Sequence, residues 1–151
     1  MAVAQGNLAS TYEALGQLDR TLRIRKDVYA RKSALFGTLH ESTIMSAVNL
    51  AATLVDALQQ FDEARAFLRD RIPEATRSLG KDHGTTLRLE RMHAQCLYRN
   101  DGASRDDITT AIATLEELYR RITRIYGATH PQTRGTQDYL EKARETLARL
   151  E

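Results

Sequence analysis

Apolar residues return along the chain every three or four positions, the interval that gathers them on one stripe of a helix. Leu8, Tyr12 and Leu15 mark a first helix over Val3–Leu15, with small Ala4 and Ala9 beside them. A second, Leu18–Leu35, turns Leu18, Leu22, Val28, Tyr29 and Leu35 inward. The third, Glu41–Leu58, carries Ile44, Val48, Ala51, Leu54, Val55 and Leu58, and the fourth, Phe61–Leu79, carries Phe61, Ala64, Leu68, Ile72, Ala75 and Leu79. Leu87, Leu89, Met92, Ala94 and Leu97 give a less regular fifth helix, Gly84–Tyr98. Ile108, Ile112, Leu115, Leu118, Ile122 and Ile125 give a sixth, Arg105–Tyr126, and Tyr139, Leu140, Ala143, Leu147 and Leu150 a seventh, Pro131–Leu150. The expectation is an all-α fold of three helix hairpins closed by a capping helix. Pro73 falls inside the fourth helix, where a lost backbone bond costs about 3 kcal/mol unless a bend absorbs it.

One stretch punctuates this pattern three times. Phe36–Thr43, Leu79–Thr86 and Tyr126–Thr133 each read apolar-Gly-x-x-His-x-x-Thr, with glycines 43 and 47 residues apart. A period of that size signals an array of repeated units. Glycine after an apolar-periodic run ends a helix in a left-handed conformation at no steric cost. The histidine falls where the next helix begins, Pro131 suits a first helical position, and each threonine hydroxyl can satisfy a group of the turn. The predicted division is one domain, 1–151, with repeats at about 1–37, 38–80 and 81–127 and a cap helix at 130–151. The loop Asn100–Ser104 accounts for the wider second spacing. Met1 lies against a helix with no such entry motif, so the first repeat reads as clipped at its N-terminal side. An apolar face left open there would favour self-association through that end.

Composition narrows the functional classes. A net charge of +2 is too balanced to argue for nucleic acid, and no apolar run approaches the roughly 18 residues of a membrane span. Cys96 is the single cysteine, which rules out an internal disulfide framework and predicts a reducing, cytoplasmic setting. The run Arg20, Arg23, Arg25, Lys26, Arg31 and Lys32 on the second helix reads as a solvated outer face.

The candidate chemistry is sparse. His40, His83 and His130 come one per repeat and cannot converge on one metal ion, so they read as turn residues. His93 and Cys96 share a helix face, yet neither an orienting carboxylate nor an oxyanion-binding loop accompanies them, and core packing is the simpler role. Asp101, Asp106 and Asp107 lack calcium-loop spacing, and Ser104 or Asp106 fits a helix cap. No enzyme, metal site or cofactor is expected.

Laid over one another, Asn7-Leu8-Ala9-Ser10-Thr11-Tyr12 aligns with Asn49-Leu50-Ala51-Ala52-Thr53-Leu54, and Gly16-Gln17-Leu18-Asp19-Arg20-Thr21 with Gln59-Gln60-Phe61-Asp62-Glu63-Ala64. With the Gly-x-x-His-x-x-Thr junctions, this resembles the tetratricopeptide repeat in its longer, kinesin-light-chain-like form, over almost the whole chain. Met92-His93-Ala94 departs from the Asn-Leu-Ala pattern in the third repeat. The resemblance implies a right-handed superhelix whose first helices of each hairpin line a concave groove for an extended peptide. Asn7 and Asn49 would then point into the groove, where an amide can clamp a ligand backbone; otherwise they are simply exposed or capping residues. Met92 and Tyr139 hold the same slot in the later repeats. Arg88, Arg91 and Gln95 fall on or near that face and would suit a peptide carrying an acidic side chain or a C-terminal carboxylate. The function implied is a non-catalytic peptide-binding scaffold; the alternative is an assembly module that associates through its end faces with the groove empty.

Overall fold

The computed structural model describes the backbone of residues 2–151 and the side chains of residue 5 and of residues 7–151. Met1, and the side chains of Val3 and Ala4 in the predicted first helix, lie outside the described residues. Seven helices follow in order: α1 Ala2–Ala14, α2 Leu18–Phe36, α3 Glu41–Ala52 continued by a π-helical turn Thr53–Ala57, α4 Phe61–Leu79, α5 Gly84–Arg99, α6 Arg105–Tyr126 and α7 Pro131–Arg149. Each helix packs on the next. In addition α3 packs on α5 and α5 on α7, so of the first helices of the hairpins (A helices α1, α3, α5, α7) the last three form one layer against the second helices (B helices α2, α4, α6).

The recurring stretch builds the same junction each time. Gly37, Gly80 and Gly127 have φ of +83°, +96° and +89° with ψ of 165°, 155° and 162°. The positive φ was expected, but the ψ values lie beyond the left-handed helical well, in a region open essentially only to glycine. Three residues on, His40, His83 and His130 cap α3, α5 and α7: each Nδ1 accepts from the backbone N–H two residues ahead, at 3.1, 3.1 and 3.2 Å. This satisfies an orphan donor of the new helix and fixes these imidazoles as Nδ1 acceptors. The aromatic that opens the motif stacks on the histidine that caps it, Phe36 on His40 and Tyr126 on His130. Thr43, Thr86 and Thr133 are fully buried. The Thr133 hydroxyl donates to the Gly127 carbonyl at 2.7 Å, whereas the Thr43 and Thr86 hydroxyls have no partner among the described residues.

Two buried clusters run through the layers. One joins Ile44, Val48 and Leu54 of α3 to Leu68 of α4 and Leu89 and Met92 of α5; the other joins Leu97 to Ile108, Leu115, Leu118 and Ile122 of α6 and Leu140 of α7. Each fully buried leucine or isoleucine stabilises by about 1.5–3 kcal/mol. Ser104 and Asp107 form a reciprocal capping box at the start of α6, as the loop sequence suggested. The helix α4 runs on through Pro73.

Five positions of the predicted apolar stripes are corrected. Leu15 and Leu35 are 65% and 76% exposed and Leu150 is also exposed, because each lies at or beyond a helix end, out of reach of a packing partner; Leu8 of α1 and Ile125 of the last turn of α6 are exposed as well. Arg25, assigned to the solvated face of α2, is instead turned inward with its side chain 14% exposed.

Candidate functional site

The largest cleft, about 590 Å³, opens between the A helices. Met45 and Val48 of α3 form one wall, Arg88 and Arg91 of α5 the other, Gln132 of α7 stands beside them, and Ile122 and Tyr126 of α6 close the back. Arg88 and Arg91 sit three residues apart and therefore project to the same side of α5. Neither has a carboxylate within ion-pair distance among the described residues. Arg91 donates to the Gln132 side-chain oxygen at 2.8 Å and lies 5.7 Å over the Tyr139 ring, while its Nε is buried with no partner. Burial, and after it the like charge of Arg88, lower the Arg91 pKa. Two guanidinium groups held in a partly desolvated cleft attract a carboxylate or another anion, and a forked donor suits a carboxylate in particular.

The remaining candidates are placed as follows. Asn49 is exposed on α3 and its amide makes no hydrogen bond among the described residues; it lines a second, smaller pocket rather than the main cleft. Asn7 is exposed one A helix earlier and lines neither. Gln95 is 2% exposed and its side-chain oxygen accepts from Arg99 at 2.9 Å, so it braces α5 from within. Arg99 in turn reaches Asp56 of α3 at 3.8 Å and lies over Phe61. Arg88 and Arg91 are thus the pair that the fold brings together.

The repeat register explains a feature that periodicity missed. Positions equivalent to Thr21, Arg25 and Lys32 of α2 are Ala64, Leu68 and Ala75 in α4, and Ala111, Leu115 and Ile122 in α6, all of them buried. Arg25 therefore stands in a leucine slot and Lys32 in an alanine or isoleucine slot. Arg25 donates to Glu13 at 2.8 Å, to the Asn49 carbonyl at 3.0 Å and to the Thr53 hydroxyl. In the next repeat the corresponding residues are apolar, Leu68 against Met92 and Cys96. The π-helical turn of α3 begins at Thr53, where Arg25 engages the helix backbone one turn earlier. Inserted side chains of this kind are a recognised cause of a widened helical turn.

Nothing in the described residues favours nucleophilic chemistry. Burial pushes the Cys96 thiol up to about 12, and burial followed by the nearby Arg65 lowers the His93 pKa. His93 and Cys96 thus sit as a neutral imidazole and a protonated thiol. No group of metal-ligating side chains gathers among the described residues. No helix among the described residues is long and apolar enough to cross a membrane.

Comparison with known proteins places this geometry in context. Residues 1–73 match the tetratricopeptide repeat. Two solved structures share the fold: a Podosopora anserina protein assigned as a kinesin light chain with nearly identical TPR-like repeats, and a single-substitution variant of it. Both are 21% identical to this chain, with TM-scores of 0.80 and 0.81 over 95% of its length. This chain spans 65% of the length of those solved chains. No curated protein matches it.

Proposed function

We propose that the chain is a tetratricopeptide repeat protein of the kinesin-light-chain-like form, and that it is a non-catalytic scaffold holding an extended acidic peptide across its A helices. The observation that carries this reading is the 590 Å³ cleft in which, among the described residues, neither Arg88 nor Arg91 has a carboxylate within ion-pair distance, the lining carboxylate Asp82 being paired with Arg121. An acidic side chain or a C-terminal carboxylate of a partner protein supplies the missing charge, and the exposed amides of Asn49 and Asn7 are free to hold the peptide backbone farther along the layer. A cytoplasmic location fits the single free thiol, and neither nucleic acid nor membrane is needed as a partner.

A peptide-display selection tests this reading, run on the parent chain and on an Asn49→Ala, Arg91→Glu variant shown by circular dichroism to be folded. An acidic consensus for the parent that vanishes with the variant supports the scaffold. Enrichment of nothing by either protein overturns it.

A second reading has its own observation. Leu8, Leu15, Leu35, Phe36 and Leu39 are exposed in and just after the first hairpin, whereas the outer face of α6 and α7 is mostly polar, with Glu116, Arg120, Gln137, Glu141 and Arg144. Self-association through the N-terminal end would cover those apolar side chains. Light scattering that shows a monomer at high protein concentration would exclude it.

A further inference from the structure

Arg25 and Lys32 remain unexplained by the main cleft. They are cations at two inward slots that the other B helices fill with leucine, alanine or isoleucine. Cations drawn partly out of water, Arg25 with its side chain 14% exposed and Lys32 half-buried, are costly unless paired, and the pairing here is incomplete. Arg25 has Glu13 at 2.8 Å; Lys32 has no hydrogen-bond or ion-pair partner among the described residues. Both line a pocket of about 110 Å³ between α1 and α3, with α2 as its floor. The rim carries the unengaged amide of Asn49 and the Ser46 hydroxyl. The A layer is open at this point: α3 packs on α5, but among the described residues α1 does not approach α3 as closely.

We propose that this pocket is a second anion subsite, taking a carboxylate side chain of the same extended peptide whose other carboxylate seats at Arg88 and Arg91. Lys32 supplies the unpaired charge and the Asn49 amide a donor. Arg25 lends field strength while remaining bound to Glu13 and to α3. The proposal rests on the peptide reading of the A-helix face and adds a spacing rule to it. Packed helices lie roughly 8–10 Å apart, so the α1–α3 pocket, about one and a half such intervals from α5, is separated from the α5 arginines by about 12–15 Å. An extended chain advances about 3.3 Å per residue, which places the two acidic residues roughly four positions apart. Specificity would thus come from two charges at a fixed interval rather than from a general attraction of basic for acidic chains.

The test is an amide-shift titration of isotope-labelled protein at low salt. The probes are capped peptides carrying two glutamates separated by one, three or nine Gly/Ser residues, with a single-glutamate peptide as control. The expected result is about tenfold tighter binding for the three-residue spacer than for the control. That gain should disappear in Lys32→Glu, while the control peptide binds this variant as it binds the parent. Circular dichroism of the variant verifies that it folds. Equal affinity for all spacers, or a gain that survives Lys32→Glu, overturns the second subsite but leaves the α5 site standing if Arg91→Glu still abolishes binding. Should no peptide shift any amide on α3, α5 or α7, the peptide reading fails and takes this proposal with it.

Discussion

Three equivalent threonines offer a comparison controlled within one molecule. Thr43, Thr86 and Thr133 occupy the same place in the recurring junction and are all fully buried. Thr133 donates to the Gly127 carbonyl, whereas the other two hydroxyls have no partner, and the void beside Thr43 has no room for a water. Replacing threonine by valine exchanges a hydroxyl for a methyl of similar size. At Thr133 the exchange forfeits a net hydrogen-bond contribution of about 1 kcal/mol, offset by about 0.8 kcal/mol from the added apolar group. The Gly127 carbonyl keeps a weaker bond from the His130 N–H, so the net change should be near zero or slightly destabilising. At Thr43 and Thr86 the exchange removes a stranded hydroxyl whose desolvation costs about 1–3 kcal/mol, so both variants should gain stability. The sites should therefore differ by at least about 1 kcal/mol, or roughly 2–4 °C in Tm for a chain of this length. Urea unfolding followed by far-ultraviolet circular dichroism measures it, with an unchanged m-value as the check on the unfolded state. Shifts of the same sign and size at all three sites would refute the reasoning.

Two further outcomes follow from departures within the repeats. Gln59 has φ +53° where the equivalent residue of the first hairpin is Gly16 at φ +74°, so Gln59→Gly should stabilise by about 0.5–1 kcal/mol, read as a higher urea midpoint. His93 occupies the slot of Leu50 and Leu140, and its depressed pKa means that the unfolded chain takes up a proton first as pH falls. That contribution to stability is present above the ordinary imidazole value of 6.5 and is lost as pH falls through His93's lowered pKa. His93→Leu should therefore show a shallower loss of stability between about pH 7.5 and 5.5 than the parent; parallel profiles would contradict this.

Much of the fold was legible because the same solution is written three times. The helix spans follow from the apolar stripes to within a few residues, and the Gly-x-x-His-x-x-Thr junction predicted each helix stop and start. What escaped was local. Arg25 and Lys32 lie on the stripe of Val28 by helical spacing, but within a run of six cations they read as solvated; only the register with Leu68, Leu115, Ala75 and Ile122 shows them to be inward. Gln95 has a polar side chain long enough to fold back onto Arg99, which its position on an A helix does not reveal. Leu15 and Leu35 follow the apolar period yet stand at hairpin ends, where nothing packs on them. The π-helical turn in α3 coincides with a contact from another helix, Arg25 to the Asn49 carbonyl and Thr53 hydroxyl, which the sequence of α3 alone does not reveal. Arg88 and Arg91 were visible as a pair, but their lack of acidic partners depends on what α7 brings beside them, Gln132 and Tyr139 rather than a carboxylate.

The most direct measurement of the central claim is a map of backbone amide shifts on the isotope-labelled chain as an acidic peptide from the display selection is added. The account predicts shifts concentrated on α3, α5 and the start of α7, around Asn49, Arg88, Arg91 and Gln132, with the outward faces of α2, α4 and α6 unchanged. Shifts confined to the B helices, or to the exposed apolar side chains of the first hairpin, would contradict it.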